Sequence, residues 1–250
     1  MTYGKAIGVG NTAVVYEWGA DKVLKLFNEG YPREAAEMEF SNTNAIRSLN
    51  FNKPKAYELI NLDGRIGIIY DRAEGEPLTE WVMKTGDLHR CAIHMATLHK
   101  SVLKNQVSGV PNYKDFLRYN IKKALPADSH KLIETLHLLD TLKDGNTLCH
   151  GDFHPGNILM SDDQPKIIDF MNICHGHYLY DIARTVFLVE YTPVPAEVEE
   201  KDTILEFKRS LTDLYLTEMN VTRDMIRDYL SVIRTARLGE CPNEPVDERN

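Results

Sequence analysis

The sequence has no apolar run approaching the roughly 18–20 residues that a membrane-spanning helix needs. Its first residues, Met1-Thr2-Tyr3-Gly4-Lys5, lack the apolar core of a secretory signal. The expectation is a cytoplasmic protein with no membrane partner. Cysteine is scarce, and Cys91, Cys149, Cys174 and Cys241 form no C-x-x-C pair. A chain of 250 residues buries a sizeable core without staples, so free and mostly buried thiols are expected. Positive charge is short as well: 29 Lys and Arg stand against 37 Asp and Glu, a net −8. Nucleic-acid affinity comes largely from cations on phosphates, so nucleic acid is not an expected partner. A cationic small substrate fits that charge, and so does its plain role in solubility. There is no repeat and no low-complexity tract.

What is present divides into two textures. Ala13-Val14-Val15-Tyr16-Glu17-Trp18, the turn signal Gly19-Ala20-Asp21 and Val23-Leu24-Lys25-Leu26-Phe27 read as a hairpin. Pro32 suits the first turn of a helix. That helix is predicted to run to about Leu49, with Ala35, Met38, Ala45, Ile46 and Leu49 on its apolar face. Tyr57 to Ile60, a turn at Asn61 to Gly64, and Ile66 to Tyr70 make a second hairpin, and Asp71 to Pro77 reads as a linker. Beyond it the pattern is helical: Thr79 to Lys84; Leu88 to Leu103, with Cys91, Met95, Leu98 and Val102 at helical spacing; then 113–125, 129–143, Tyr180 to Val189, 197–218 and 222–238. Residues 147–169 interrupt this with short apolar runs between glycine and proline. The tail after Gly239 is polar and expected to fray. The expected class is α+β: a small β-rich lobe with one main helix over 1–72, a linker at 73–78, and a larger, mainly helical lobe over 79–250 that carries the loop 149–170.

Three constellations carry chemistry. In Gly8-Val9-Gly10-Asn11-Thr12-Ala13, Gly8 and Gly10 allow a close backbone approach. A dinucleotide-binding turn would open a helix, whereas strand-like sequence follows here. That leaves a flap over nucleotide phosphates, with Ala13 where a third glycine might stand, or a plain β-turn. Lys25, ten residues after Val15, either points to solvent along an alternating strand or supplies the cation that phosphates need. Glu34, Glu37 and Glu39 are the helix carboxylates available to fix it. The third is His150-Gly151-Asp152, then Asn157, then Asp169 twelve residues later. A carboxylate such as Asp152 can accept or orient the proton of an attacking hydroxyl. Asn157 and Asp169 offer the hard oxygens that Mg²⁺ takes. Two other readings stand beside this one. Asp152 and Asn157 are also turn residues next to Gly156. Cys149, His150, His154, Cys174, His175 and His177 are zinc-type ligands, though without a known finger spacing.

His150-Gly151-Asp152-Phe153-His154-Pro155-Gly156-Asn157-Ile158-Leu159 and Ile167-Ile168-Asp169-Phe170 resemble the catalytic loop and magnesium segment of the aminoglycoside phosphotransferase and choline kinase family. That family has the protein-kinase-like two-lobed fold. Leu98-His99 and Tyr180-Asp181-Ile182-Ala183 are similar to further family signatures, and the likeness runs from about Gly8 to Ala183. The resemblance implies ATP and Mg²⁺ as cofactors, with Gly8 and Gly10 in the phosphate flap. It implies Asp152 as catalytic base, Asn157 and Asp169 as metal ligands, and Lys25 on the phosphates. Glu39 becomes its partner, because Glu39-Phe40-Ser41-Asn42 is similar to the corresponding helix. Tyr70, Asp71, Arg72 and Ala73 would be the hinge that meets adenine through backbone groups, and Asp181 would brace the loop. The implied activity is γ-phosphoryl transfer to a hydroxyl of a small molecule that is aminoglycoside-, choline- or sugar-like. Gly151-Asp152 in place of Arg-Asp, with no activation segment, argues against a protein kinase. The full set of Lys25, Asp152, Asn157 and Asp169 argues against a non-catalytic nucleotide-binding module. The acceptor has no motif: 105–145 and 175–240 are silent. The segment 196–250 has thirteen acidic residues against eight basic ones, which suits either a polycation or solvated helix faces.

Overall fold

The computed structural model describes residues 3–161, 164–194 and 199–244. The chain separates into two compact units, and the first is discontinuous: Met1–Glu76 with Ile158–Asn172, then Pro77–Asn157 with Ile173–Asn250. Residues 158–172 thus join the β-rich unit, whereas a simple reading along the chain keeps them with the helices. No described helix is long and apolar enough to cross a membrane.

The first unit is built on an antiparallel sheet of β1 (Ala6–Val9), β2 (Ala13–Trp18), β3 (Lys22–Phe27), β4 (Ala56–Leu62) and β5 (Arg65–Asp71), in the order β1-β2-β3-β5-β4. Each hairpin follows its turn chemistry. Between β4 and β5, Asp63 and Gly64 both hold positive φ (52° and 79°), the geometry that two-residue hairpin turns require. The strand period of two then sorts the side chains. Val23, Phe27, Ile68 and Tyr70 pack with Ala36 on one face, while Leu24, Leu26 and Ile69 pack on the other. Lys25 shares its face with Val23 and Phe27, so alternation carries it inward.

The helix α1 (Arg33–Ala45) is shorter than its sequence suggests. Thr43 Oγ1 donates to Glu39 O and Asn44 Nδ2 to Phe40 O, local bonds that compete with helix continuation. Ile46 follows at φ −97° and ψ 2°, and the chain leaves as turns. The buried face also differs from the expected one. Met38 is exposed, and the inward residues are Ala36, Glu39, Asn42 and Thr43. Three of those four are polar, so apolar periodicity misplaces the face.

A short strand β6 (Glu76–Pro77) ends this stretch. After the helices come β7 (Thr147–Cys149), then β8 (Ile158–Ser161) and β9 (Gln164–Ile167), which pair with each other antiparallel in the first unit. Asn52 O accepts from Ile167 N at 3.0 Å, and Asn42 Nδ2 donates to Met171 O at 3.0 Å. These bonds fix the segment around Asp169 to the sheet-and-helix body.

The second unit holds α2 (Leu78–Thr85), α3 (Leu88–Leu103), α4 (Tyr113–Ala124), α5 (His130–Thr141), α6 (Tyr178–Val186), α7 (Lys201–Met219) and α8 (Arg223–Glu240). It also holds β10 (Cys174–Gly176), which pairs with β7. The side chains of Asp87, Asn112 and Ser129 accept N–H groups at the starts of α3, α4 and α5. α6 runs into a π-helical turn over Phe187–Tyr191, longer than the predicted helix end. The first two residues of the predicted helix 197–218, and the tail 245–250, lie outside the described residues.

Candidate active site

In the first unit, β3, α1 and β5 bring three polar side chains together beneath the sheet. Lys25 Nζ lies 2.8 Å from Glu39 Oε1 and 3.0 Å from Oε2, and 3.2 Å from Asp169 Oδ1. Of the three helix glutamates, Glu39 is therefore the one that meets Lys25; Glu34 and Glu37 are exposed. Glu39 is 1% exposed and Asp169 31%, so one carboxylate is sealed and the other faces out. Tyr70 donates its hydroxyl to Glu39 Oε1 at 2.8 Å. Asp169 lies two residues past the end of β9 with φ 65°. A left-handed non-glycine residue costs roughly 1–3 kcal/mol and needs support from its surroundings; the Lys25 bond and the anchored flanks supply it.

The cluster holds one cation and two carboxylates, a net −1, and its proton affinities show that surplus. Burial alone lowers the Lys25 pKa, but Asp169 and Glu39 outweigh it and hold the ammonium above its ordinary value. Burial raises Glu39 above the usual carboxylate range; the Asp169 charge adds to this, and Lys25 and Tyr70 only partly offset it. Burial and Glu39 likewise push the Tyr70 phenol well up. Hard oxygens short of one positive charge are a donor set that fits a divalent cation such as Mg²⁺.

The glycine segment forms the tip of the β1–β2 hairpin, with Gly10 N bonded to Ala13 O at 2.9 Å. A Cβ on Gly8 would meet Val15 only at 3.7 Å, and one on Gly10 would meet Ala13 O at 3.5 Å. Both are ordinary contacts and neither φ is positive. The fold itself does not demand glycine here. Ala13 is the first residue of β2 and is buried in the core, so it is not part of the tip.

The residues expected at the hinge do different things. Tyr70 is a buried strand residue whose side chain belongs to the Glu39 cluster. Asp71 ends β5, donating its N–H to Lys55 O and accepting from Lys55 N and the Tyr57 hydroxyl. Arg72 donates its N–H to Asp21 O and its guanidinium to Glu17. Only Ala73 is left without such an engagement of its backbone N–H among the described residues.

In the second unit, Asp152 and Asn157 sit on one loop. Asn157 Nδ2 donates to Asp152 O at 2.9 Å and to Asp152 Oδ2 at 3.1 Å, which turns the amide oxygen of Asn157 the other way. The loop hangs on a buried polar frame. Gly151 takes φ 74°, a value that favours glycine, and its N–H donates to Asp181 Oδ1 at 2.8 Å. His150 N donates to Asp181 Oδ2 at 2.6 Å. His99 Nε2 meets the same oxygen at 2.9 Å, while its Nδ1 meets the Tyr215 hydroxyl at 2.6 Å. Burial pushes the Asp181 carboxyl up, but His99, His150 and the Gly151 N–H together hold it below its ordinary value. Arg184 Nε donates to Gly151 O at 3.1 Å, and its other end reaches Glu240 at 2.6 Å. Asp181 thus braces the loop, and it does so with partners that sequence reasoning missed. His99 carried a signal, since it falls on the apolar face of α3 four residues after Met95. Tyr215, Arg184 and Glu240 carried none.

The zinc reading has no geometric counterpart. Among the described residues no group of three His, Cys, Asp or Glu is placed to hold a metal. Cys149 and Cys174 face each other across β7 and β10 as buried free thiols.

An α+β chain with a lysine–glutamate pair under a glycine-tipped sheet, and an Asp–Asn loop on helices, has the fold of the kinase-like phosphotransferases. The model of the phosphotransferase enzyme family matches residues 4–209, and the chain belongs to that family. Solved structures of similar fold share little sequence. An amicoumacin kinase in complex with AMP-PNP, Ca²⁺ and Ami is 17% identical with a TM-score of 0.64, covering 100% of this chain and 82% of its own. The aminoglycoside phosphotransferase APH(4)-Ia, in complex with AMP-PNP and hygromycin B, is 14% identical with a TM-score of 0.67, covering 94% and 85%. The aminoglycoside phosphotransferase APH(3'')-Id from Streptomyces rimosus is 15% identical with a TM-score of 0.61, covering 90% and 89%. No curated protein sequence matches the chain.

Proposed function

We propose that this protein is an ATP- and Mg²⁺-dependent phosphotransferase that moves the γ-phosphoryl group to a hydroxyl of a small molecule. The observation that carries the reading is the Lys25–Glu39–Asp169 cluster: a buried, positioned ammonium beside a half-exposed carboxylate, with one negative charge unbalanced. Phosphoryl transfer needs mainly positioning and charge neutralisation. Lys25, held by Glu39, is suited to the α- and β-phosphates. Asp169 and the amide oxygen of Asn157 are suited to hold the metal ion. When bound, Mg²⁺ supplies neutralising charge to the phosphate oxygens. Gly8 and Gly10 keep the hairpin tip open to close approach by phosphates. Ala73 offers its backbone N–H to a nucleotide base. Asp152 is the group suited to take the proton of the attacking hydroxyl, and Asn157 fixes its orientation.

The test is ADP release from ATP over a panel of hydroxylated amines, sugars, acids and aminoglycosides, with and without Mg²⁺. Mg²⁺-dependent turnover is expected with at least one acceptor. Asp152→Asn should lower kcat by several orders of magnitude with an unchanged melting temperature. ATP binding with no turnover on any acceptor would point instead to a non-catalytic nucleotide-binding module.

A further inference from the structure

The helical unit contains a cavity of about 570 Å³ lined by α5, the π-helical turn after α6, and α8. That volume lies in the usual range for a small-molecule site. Its charged lining is unlike the chain as a whole. Lys131, Arg223, Arg227, Arg234 and Arg237 face two carboxylates, Asp224 and Glu244, in a protein of net charge −8. Three of those arginines have partners: Arg223 holds Glu190 and Asp213, Arg227 holds Asp224, and Arg237 holds Glu240 and Glu244.

Arg234 differs from the other three. Its guanidinium carbon lies 4.1 Å from the centroid of the Tyr191 ring. Its Nε is buried with no hydrogen-bond partner among the described residues. An unsatisfied buried donor costs about 1–3 kcal/mol, and a charged one more. Phe187, Pro193, Leu230 and Leu238 add apolar wall, beside Ser231 and Thr235. The site therefore offers the Arg234 guanidinium and the Lys131 ammonium without a carboxylate partner among the described residues, the first of them planar. Guanidinium recognises carboxylate and phosphate by paired N–H bonds.

The pocket is mechanically joined to the Asp152 loop. Phe187 follows Asp181 by six residues, about 9 Å along a helix axis, and Asp181 holds the backbone of His150 and Gly151. Arg184 bridges Gly151 to Glu240, and Glu240 pairs with the lining residue Arg237. We propose that this pocket receives the phosphoryl acceptor through an anionic group, a carboxylate or phosphate carried on an apolar body, with Arg234 as its anchor. The proposal rests on the phosphotransferase reading above and sharpens its substrate class: an acidic hydroxy compound, not a polycation. The acidic surplus of 196–250 does not oppose it, because only Asp224 and Glu244 of those carboxylates line the pocket and both are paired with arginines.

The test begins without nucleotide. Benzoate, phenyl phosphate, benzyl alcohol and benzylamine share one ring and differ in charge. Binding of each to the full chain is followed by NMR shifts of α8 amides at low ionic strength. The two anions should bind about tenfold tighter than the alcohol, a difference of about 1.4 kcal/mol. Arg234→Met should remove that preference and Arg234→Lys should keep part of it, with melting curves confirming that both variants fold. In turnover, Arg234→Met should raise KM for an acidic acceptor while leaving kcat nearly unchanged. Benzylamine binding as well as benzoate, or an anion affinity indifferent to Arg234, would overturn the proposal. Anion binding at Arg234 with no ATP turnover would support the pocket and its ligand class while removing the phosphotransferase reading. Turnover on aminoglycosides with KM indifferent to Arg234 would do the reverse.

Discussion

Replacing Lys25 by Met tests whether the surplus charge beneath the sheet is real. The substitution leaves Glu39, 1% exposed, and Asp169 with no other ion-pair partner among the described residues. Removing one partner of a buried ion pair costs about 3–5 kcal/mol when the other charge must stay. Glu39 has an escape, because it can take up a proton. From an ordinary value of 4.5, protonation at pH 7 costs at most about 3.4 kcal/mol. At pH 5.5 the same ceiling is about 1.4 kcal/mol. The sign follows from linkage: a carboxyl whose pKa is raised on folding favours the folded state below its unfolded pKa, and that contribution is lost as pH rises. Lys25→Met should therefore approach wild-type stability near pH 4.5–5.5 and fall away towards pH 7. The ceiling at pH 7 corresponds to a drop of about 7–14 °C in Tm for a chain of this size. Thermal unfolding by circular dichroism at pH 5.5 and 7.0 reads it directly. Lys25→Met/Glu39→Gln should recover most of the loss at pH 7. A deficit that is equal at both pH values, or that the double variant does not relieve, would refute the ionised, charge-surplus cluster.

Glu39→Gln alone should cost far less stability than Lys25→Met, because it leaves one cation with one carboxylate; ATP turnover should fall while the melting curve barely moves. Asp181→Asn should lower both stability and kcat, since the His150 and Gly151 N–H groups and His99 lose their shared carboxylate; the loss of a buried charged hydrogen-bond acceptor is about 1.5–3 kcal/mol by denaturant unfolding. Asp181 holds its carboxyl below the ordinary value, so the wild-type contribution should be present above that value and fade as acid titrates the folded group. Gly8→Ala should melt within about 1 kcal/mol of wild type, because its Cβ meets nothing closer than 3.7 Å; a raised KM for ATP with normal stability is the expected signature.

Where local chemistry dictates structure, the sequence was legible. The turn at Asn61 to Gly64 and the β2–β3 hairpin follow from residue type and spacing alone. The order of Lys25, Asp152, Asn157 and Asp169 placed the candidate residues without coordinates. What was hidden came from long-range packing. α1 buries Glu39, Asn42 and Thr43, so its true inward face has almost no apolar periodicity, and counting hydrophobes selected Met38 and Ala45 instead. Asp71 looked like the start of a linker because charge, glycine and proline follow it, yet pairing with β3 keeps the strand going through Asp71. The frame under the loop joins His99, Asp181, Arg184, Tyr215 and Glu240 from four helices. No one-dimensional pattern relates residues so far apart.

The buried polar groups fall into two kinds, and the difference carries functional meaning. Asp181 is matched by two N–H groups and His99. Such balanced networks repay the desolvation of their members and can serve structure alone. The Lys25 cluster is left one positive charge short, and Arg234 has a buried nitrogen with no acceptor. Neither imbalance helps the folded chain, because a charge or a buried donor left without a partner is a cost. Both lie beside open space: Asp169 is the half-exposed member of its cluster, and Arg234 lines a cavity. Imbalance that opens outward is what a site awaiting a ligand of opposite charge requires. On that physical ground a divalent cation with phosphates suits Asp169 and Lys25, and an acidic acceptor suits Arg234.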